Sequence, residues 1–302
     1  MSSPDNRNPN LPDNVAQSSA TGGAPHHPDK EFVRFRPLER ALHATMVVSF
    51  LSLAATGMSL KFSYTPWARV LSHFLGGFQT AGYIHRFAAV CMFIVFVTHL
   101  VSLKNLRKEK YPSWTNMILG PNSMLPTLKD GREFVATMKW FLGKGPRPKY
   151  SRWTYWEKFD YFAVFWGIFI IGSTGLTLWF PITFTRILPG WCINLATIIH
   201  SDEALLATGF IFTVHFFNTH LRPEKFPMDV VIFTGQMPLA ELKRDKPMEY
   251  DNLLHSGELK GKLAEPHPEV VVKMIRAFAW CALAVGFSIV IGIIYAMIFA
   301  YR

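Results

Sequence analysis

Five stretches of the chain are too long and too apolar to be anything but membrane spans. A helix needs about 20 residues to cross about 30 Å of hydrocarbon. Residues 41–60, 81–103, 161–181, 194–221 and 277–300 meet that length. The first and fifth contain no Lys, Arg, Asp or Glu. The second has only Arg86 near its start, and the fourth carries Asp202 and Glu203 near its own. Only 17% of the 302 residues are charged, low for a soluble domain of this size. The fold class these features predict is an all-α integral membrane protein: a four-helix bundle over 36–221, then a fifth transmembrane helix over 277–302.

The formal charge of +10 belongs to topology rather than to nucleic-acid binding, because it is concentrated in connections. Loop 104–158 holds twelve Lys and Arg and loop 222–276 holds nine. Loops 61–80 and 182–193 hold two and one. Lys30, Arg34, Arg36 and Arg40 stand just before the first span. Positive loops stay inside, so the expected N-terminus is cytoplasmic and the C-terminus lies on the opposite side. Residues 1–35 read as a disordered cytoplasmic tail, since 1–30 are rich in Ser, Pro, Asn and Gly without an apolar core. Loops 104–158 and 222–276 read as cytoplasmic surface rather than as a folded domain.

The chain repeats itself. Thr56-Gly57-Met58-Ser59-Leu60-Lys61-Phe62 ends the first span, and Thr174-Gly175-Leu176-Thr177-Leu178-Trp179-Phe180 ends the third. Ile84-His85 follows the first glycine by 28 residues and Ile199-His200 follows the second by 25. Both the second and fourth spans end in Thr-His-Leu, at Thr98-His99-Leu100 and Thr219-His220-Leu221.

Six of the eleven histidines lie in or beside spans: His43, His85, His99, His200, His215 and His220. An ionisable side chain at membrane depth is costly and marks function. His85 and His200 open their helices at the outer side. His99 lies about 21 Å and His215 about 22 Å further in, at 1.5 Å per residue. His43 shares that inner depth, as does His220 one turn beyond His215. Two imidazoles facing each other across a porphyrin make a bis-histidine haem, with no open position for oxygen or substrate, which favours electron transfer over catalysis. Zinc would need three or four ligands at one point. A proton relay would need intramembrane carboxylates, for which only Asp202 and Glu203 offer themselves. Gly57, Gly172, Gly175 and Gly209 allow close approach of a bulky group or close helix packing. Cys91, Cys192 and Cys281 form no CxxC pattern, which argues against covalent haem or an iron–sulfur cluster in this chain. His26, His27, His73, His255 and His267 lie in polar segments and read as surface residues.

Several strings resemble the dihaem cytochrome b subunits of membrane formate dehydrogenases. More distant relatives are the b-type cytochromes of nickel–iron hydrogenases and of thiosulfate reductases. Leu38-Glu39-Arg40-Ala41-Leu42-His43 is similar to that family's first helix. Ile84-His85-Arg86 is similar to its second, and Tyr155-Trp156-Glu157-Lys158 through Ser173-Thr174-Gly175 to its third. Ile199-His200 and Val214-His215-Phe216 resemble the two ligands of its fourth. The resemblance covers about 36–221 and implies two b haems, the outer iron on His85 and His200 and the inner iron on His43 and His215.

It further implies electron transfer between a quinone or quinol and a partner redox subunit, either an iron–sulfur protein or a multihaem cytochrome c. The location it implies is a bacterial inner membrane, with the C-terminus periplasmic. The quinone would lie by the inner haem, near Thr154, Tyr155, Trp156, Glu157 and Lys158, although the aromatic run Trp153-Thr154-Tyr155-Trp156 reads equally well as an interfacial belt. Glu157 or Lys158 is a candidate for handling its proton. The fourth-helix spacing of 15 residues, one more than the resemblance leads one to expect, points to a local bulge or another geometry. His99 and His220 are extra. Geometry alone also allows a His99–His215 inner pair, or a third haem on His99 and His220. A haem-free transporter and a structural membrane anchor are the alternatives.

Overall fold

In the computed structural model, residues 30–226 and 228–300 are described. Five helices are long and apolar enough to cross a membrane: α1 (Pro37–Lys61), α3 (Phe78–Lys110), α6 (Tyr155–Trp179), the segment Trp191–Leu221, and Glu269–Ala300. The protein is therefore a multi-pass helical membrane protein. Short helices α2 (Pro66–Phe74), α4 (Trp114–Leu119), α5 (Leu128–Phe141) and α7 (Pro181–Phe184) occupy the connections. The fourth span is α8 (Trp191–Phe210) continued by π turns over Ile211–His215 and Phe217–Leu221. Large apolar side chains point outward, among them Phe169 and Ile298, as lipid-facing surface requires.

The span starts follow local chemistry. α1 begins at Pro37, which fits the first turn because it has no N–H to leave unpaired. The Arg36 amide donates to the Glu39 carboxylate at 2.8 Å. α6 starts six residues before the hydropathy boundary at 161. Its Thr154 amide donates to Glu157 at 2.7 Å, a capping box that hydropathy cannot register. α1 packs along α3, and α6 along α8. The repeated sequence thus folds as two hairpins, and Lys61 bonds Asp202 at 2.8 Å to tie the end of α1 to α8.

Loop 222–276, expected to be polar surface rather than a folded domain, carries regular structure. It contains α9 (Val231–Thr234), α10 (Leu239–Asp245) and α11 (Pro247–His255). Two of its strands, β2 (Gln236–Pro238) and β3 (Leu263–Ala264), flank β1 (Glu31–Val33) in an antiparallel sheet of order β2-β1-β3. Phe32 is fully buried and packs with Val231, Met237, Leu242, Tyr250, Leu253 and Leu259. These apolar residues are scattered over short elements and need one strand from the far end of the chain, so no sequence window reveals their core. The sheet also places 31–33 in structure, inside the boundary drawn for the tail at 35. Residues 1–29 lie outside the described residues. The last span, α12 (Glu269–Tyr295) with a π turn over Ala296–Ala300, packs against α1 and the π turn of the fourth span.

Candidate functional site

At one end of the hairpins, His85 and His200 stand edge-on to each other, ring centres 6.2 Å apart and planes at 72°. His85 Nδ1 lies 2.9 Å from Thr56 Oγ1. The Thr56 hydroxyl gives its only proton to the Ser52 carbonyl at 2.6 Å. Its oxygen therefore accepts from His85, which puts the imidazole proton on Nδ1. His200 Nδ1 lies 3.0 Å from the Ile171 carbonyl, which can only accept, and 3.3 Å from Thr174 Oγ1. Both rings thus keep the Nε2 lone pair free, the tautomer a metal-binding imidazole needs.

The glycines of the repeat make room for these rings. A Cβ on Gly175 would stand 3.0 Å from His200 Cε1, and one on Gly57 would stand 3.3 Å from His85 Cε1. So Thr56-Gly57 and Thr174-Gly175 are two copies of one imidazole seat. The other two glycines differ: Gly172 meets Phe93, and Gly209 has nothing within 4 Å.

The other end is less regular. His215, in the π turn Ile211–His215, bonds Asp160 Oδ2 through Nδ1 at 2.9 Å. A π turn holds one residue more than an α turn, which absorbs the extra residue of the 15-residue spacing. His43 stands edge-on to Phe233 of α9, ring centres 5.4 Å apart, and its buried Nδ1 has no partner among the described residues. His43, His215 and His220 line the same cavity. His220 stands edge-on to Phe216 with Nδ1 likewise unpartnered. His99 Nε2 bonds Tyr161 Oη at 2.9 Å.

Asp160 escaped the sequence reading, which placed the third span one residue after it and looked for intramembrane carboxylates only at Asp202 and Glu203. Asp202 instead serves Lys61. A charged residue one position outside an apolar run was the available signal.

Of the residues expected near a quinone, Thr154, Trp156 and Glu157 line the cavity described next. Lys158 is held by Asp130 at 2.9 Å. Burial pushes the Asp130 carboxyl up, but the hydrogen bonds from Thr127 and Lys158 leave it below its ordinary value. Tyr155 packs edge-on against Trp156 and Phe134. Glu157 accepts from Arg34 and Lys246, and Arg34 also bridges to Glu249 at 3.2 Å. Lys246 is buried, which, with Arg34 close by, pushes its ammonium down to about 8 despite the pull of Glu157.

All six span histidines line one cavity of about 2060 Å³ running between the hairpins. Drug-sized ligand pockets are about 300–1,000 Å³, so this space exceeds what one small molecule needs. Two imidazoles gripping one metal from opposite sides put their ring centres about 6 Å apart, from a metal–nitrogen bond of about 2 Å and a ring half-width of about 1 Å. The 6.2 Å between His85 and His200 meets that requirement.

An apolar helical bundle whose paired imidazoles line a large shared cavity has the parts of a membrane cytochrome b. The model of the prokaryotic cytochrome b561 family matches residues 34–219. The chain belongs to that family, and with it comes b-type haem. The chain is also similar to the cytochrome b556(Fdn) subunit of the nitrate-inducible formate dehydrogenase of Escherichia coli K12, at 22% identity over 179 residues, 59% of this chain and 72% of that one. The Shigella flexneri subunit of the same description matches to the same extent. The chain is thus a membrane b-type cytochrome of electron transfer.

Proposed function

We propose that this cytochrome carries electrons between a membrane quinone and a partner redox subunit through two b haems, one on His85 and His200, the other on His43 and His215. The observation that carries this reading is the 6.2 Å pairing of His85 and His200 with both Nδ1 atoms committed to acceptors. Bound haem supplies reversible one-electron exchange.

The protein's residues define where that exchange occurs and keep other chemistry out. His85 with His200, and His43 with His215, would hold the two irons, and with both positions taken a haem would offer none to substrate. Thr56 and the Ile171 carbonyl hold the outer rings in one tautomer. Asp160 orients His215 and makes it a stronger donor. His99, spent on Tyr161, serves as a packing residue. The quinone lies at the His43 end, where Thr154, Trp156 and Glu157 reach the cavity. The Lys- and Arg-rich loops put that end and the N-terminus in the cytoplasm. The outer end then faces a periplasmic partner, an iron–sulfur protein or a multihaem cytochrome c. That the relatives are subunits of a formate dehydrogenase supports such a partner.

Reduced-minus-oxidised absorption of the purified chain during a redox titration tests the reading. Two b-type components are expected. Absence of b-type bands would overturn it in favour of a transporter or an anchor.

A further inference from the structure

We infer that Arg222 binds a carboxylate of the inner b haem, an inference that rests on the two-haem reading. Arg222 ends the π-helical continuation of the fourth span, and its amide donates back to the Phe217 carbonyl at 3.0 Å. It lies two turns past His215, about 10 Å along the helix at 1.5 Å per residue. Its guanidinium stacks on Trp156, 5.0 Å from the ring centre, and lines the same cavity as His43 and His215.

Its electrostatic situation sets it apart. Several cations nearby have carboxylates: Arg34 and Arg152 share Glu249, Lys246 has Glu157, and Lys225 has Asp229 and Glu241. Arg107, stacked on Trp114, also has an unpartnered Nε, but it does not line the cavity as Arg222 does. Among the described residues no carboxylate lies within 4 Å of Arg222, and its buried Nε has no hydrogen-bond partner. Arg222 is half-buried, and a guanidinium partly withdrawn from water beside an apolar cavity gains from a counter-charge there. A b haem brings two carboxylates, and one of them supplies the missing counter-charge. His220 Nδ1, also buried and unpartnered, adds a second donor two residues away. A quinone carbonyl would satisfy the hydrogen bond but leave the charge unanswered. Arg86, stacked 5.7 Å over Trp179, is exposed at the opposite end, where water and headgroups can solvate it.

The test is a redox titration of the full-length chain and its Arg222→Gln and Arg222→Lys variants. The inner component is identified as the one that His215→Ala removes. Arg222→Gln should lower the potential of that component alone, by at least tenfold in its reduction equilibrium, about 59 mV for one electron. A fixed negative charge left without its cation favours the ferric state. Arg222→Lys should restore most of the shift.

An inner potential unmoved in Arg222→Gln at full haem content overturns the inference. So does weakened quinol binding with both potentials unchanged, which would assign the guanidinium to the quinone. Should Arg222→Gln lose the inner component, its retention in Arg222→Lys supports the inference and its loss there overturns it. A parent chain with fewer than two components would instead sink the two-haem reading itself.

Discussion

The two ends of the chamber are built by different means. At the outer end one device is used twice: a Thr-Gly pair on one helix seats a histidine from the next, at His85 and again at His200. At the inner end every histidine has its own support: Asp160 behind His215, Phe233 against His43, and Phe216 against His220. A duplicated sequence can specify a duplicated seat locally. An asymmetric site has to recruit a π turn, a carboxylate 55 residues away and a cap, the small core that residues 31–33 build with residues 231–264.

The sharpest way to break the comparison is His85→Ala or His200→Ala. Either should abolish the outer component and halve the haem content while leaving the inner potential in place, as read by absorption and redox titration. Loss of both components would show that the ends are not independent. Next come the seats. Gly175→Val should displace the His200 ring and remove most of the outer component, since even a Cβ would stand at 3.0 Å. Gly57→Ala, with its contact at 3.3 Å, should be milder, and Gly209→Ala should leave the spectrum unchanged.

At the inner end, Asp160→Asn should raise the inner potential by about tenfold in equilibrium, about 59 mV, because His215 becomes a weaker donor and a negative charge is lost. The outer component should not move. The smallest effect concerns the cap. Lys246 releases its proton at about 8 in the folded protein, below its ordinary 10.5. Between those values the unfolded chain binds the proton more tightly, so this lysine's contribution to stability rises as pH climbs from 8 to 10.5. Lys246→Met should remove that rise, measured as hydrogen-exchange protection of the 231–264 amides.

The outer end was legible because its signals are short-range. The Thr-Gly and Ile-His strings recur in order, and a spacing count places the histidines at matching depths. The inner end was legible only in part. The spacing of 15 residues announced a bulge or another geometry, and the structure has a π turn there. Asp160 and the cap were not foreseen. Pairing of Asp160 with His215 depends on how two helices are rotated against each other, which hydropathy does not carry. The cap core joins Phe32 to residues more than 190 positions away, such as Val231 and Leu259.

The middle strand of the small sheet has a consequence for the order of events during synthesis. β1 precedes the first span, yet its two neighbours are made only when translation has passed residue 264. Four spans therefore leave the ribosome before the floor beneath them can be laid. The residues of that late segment that line the chamber, Phe233 and Lys246 among them, join it only after four of its helices have been made.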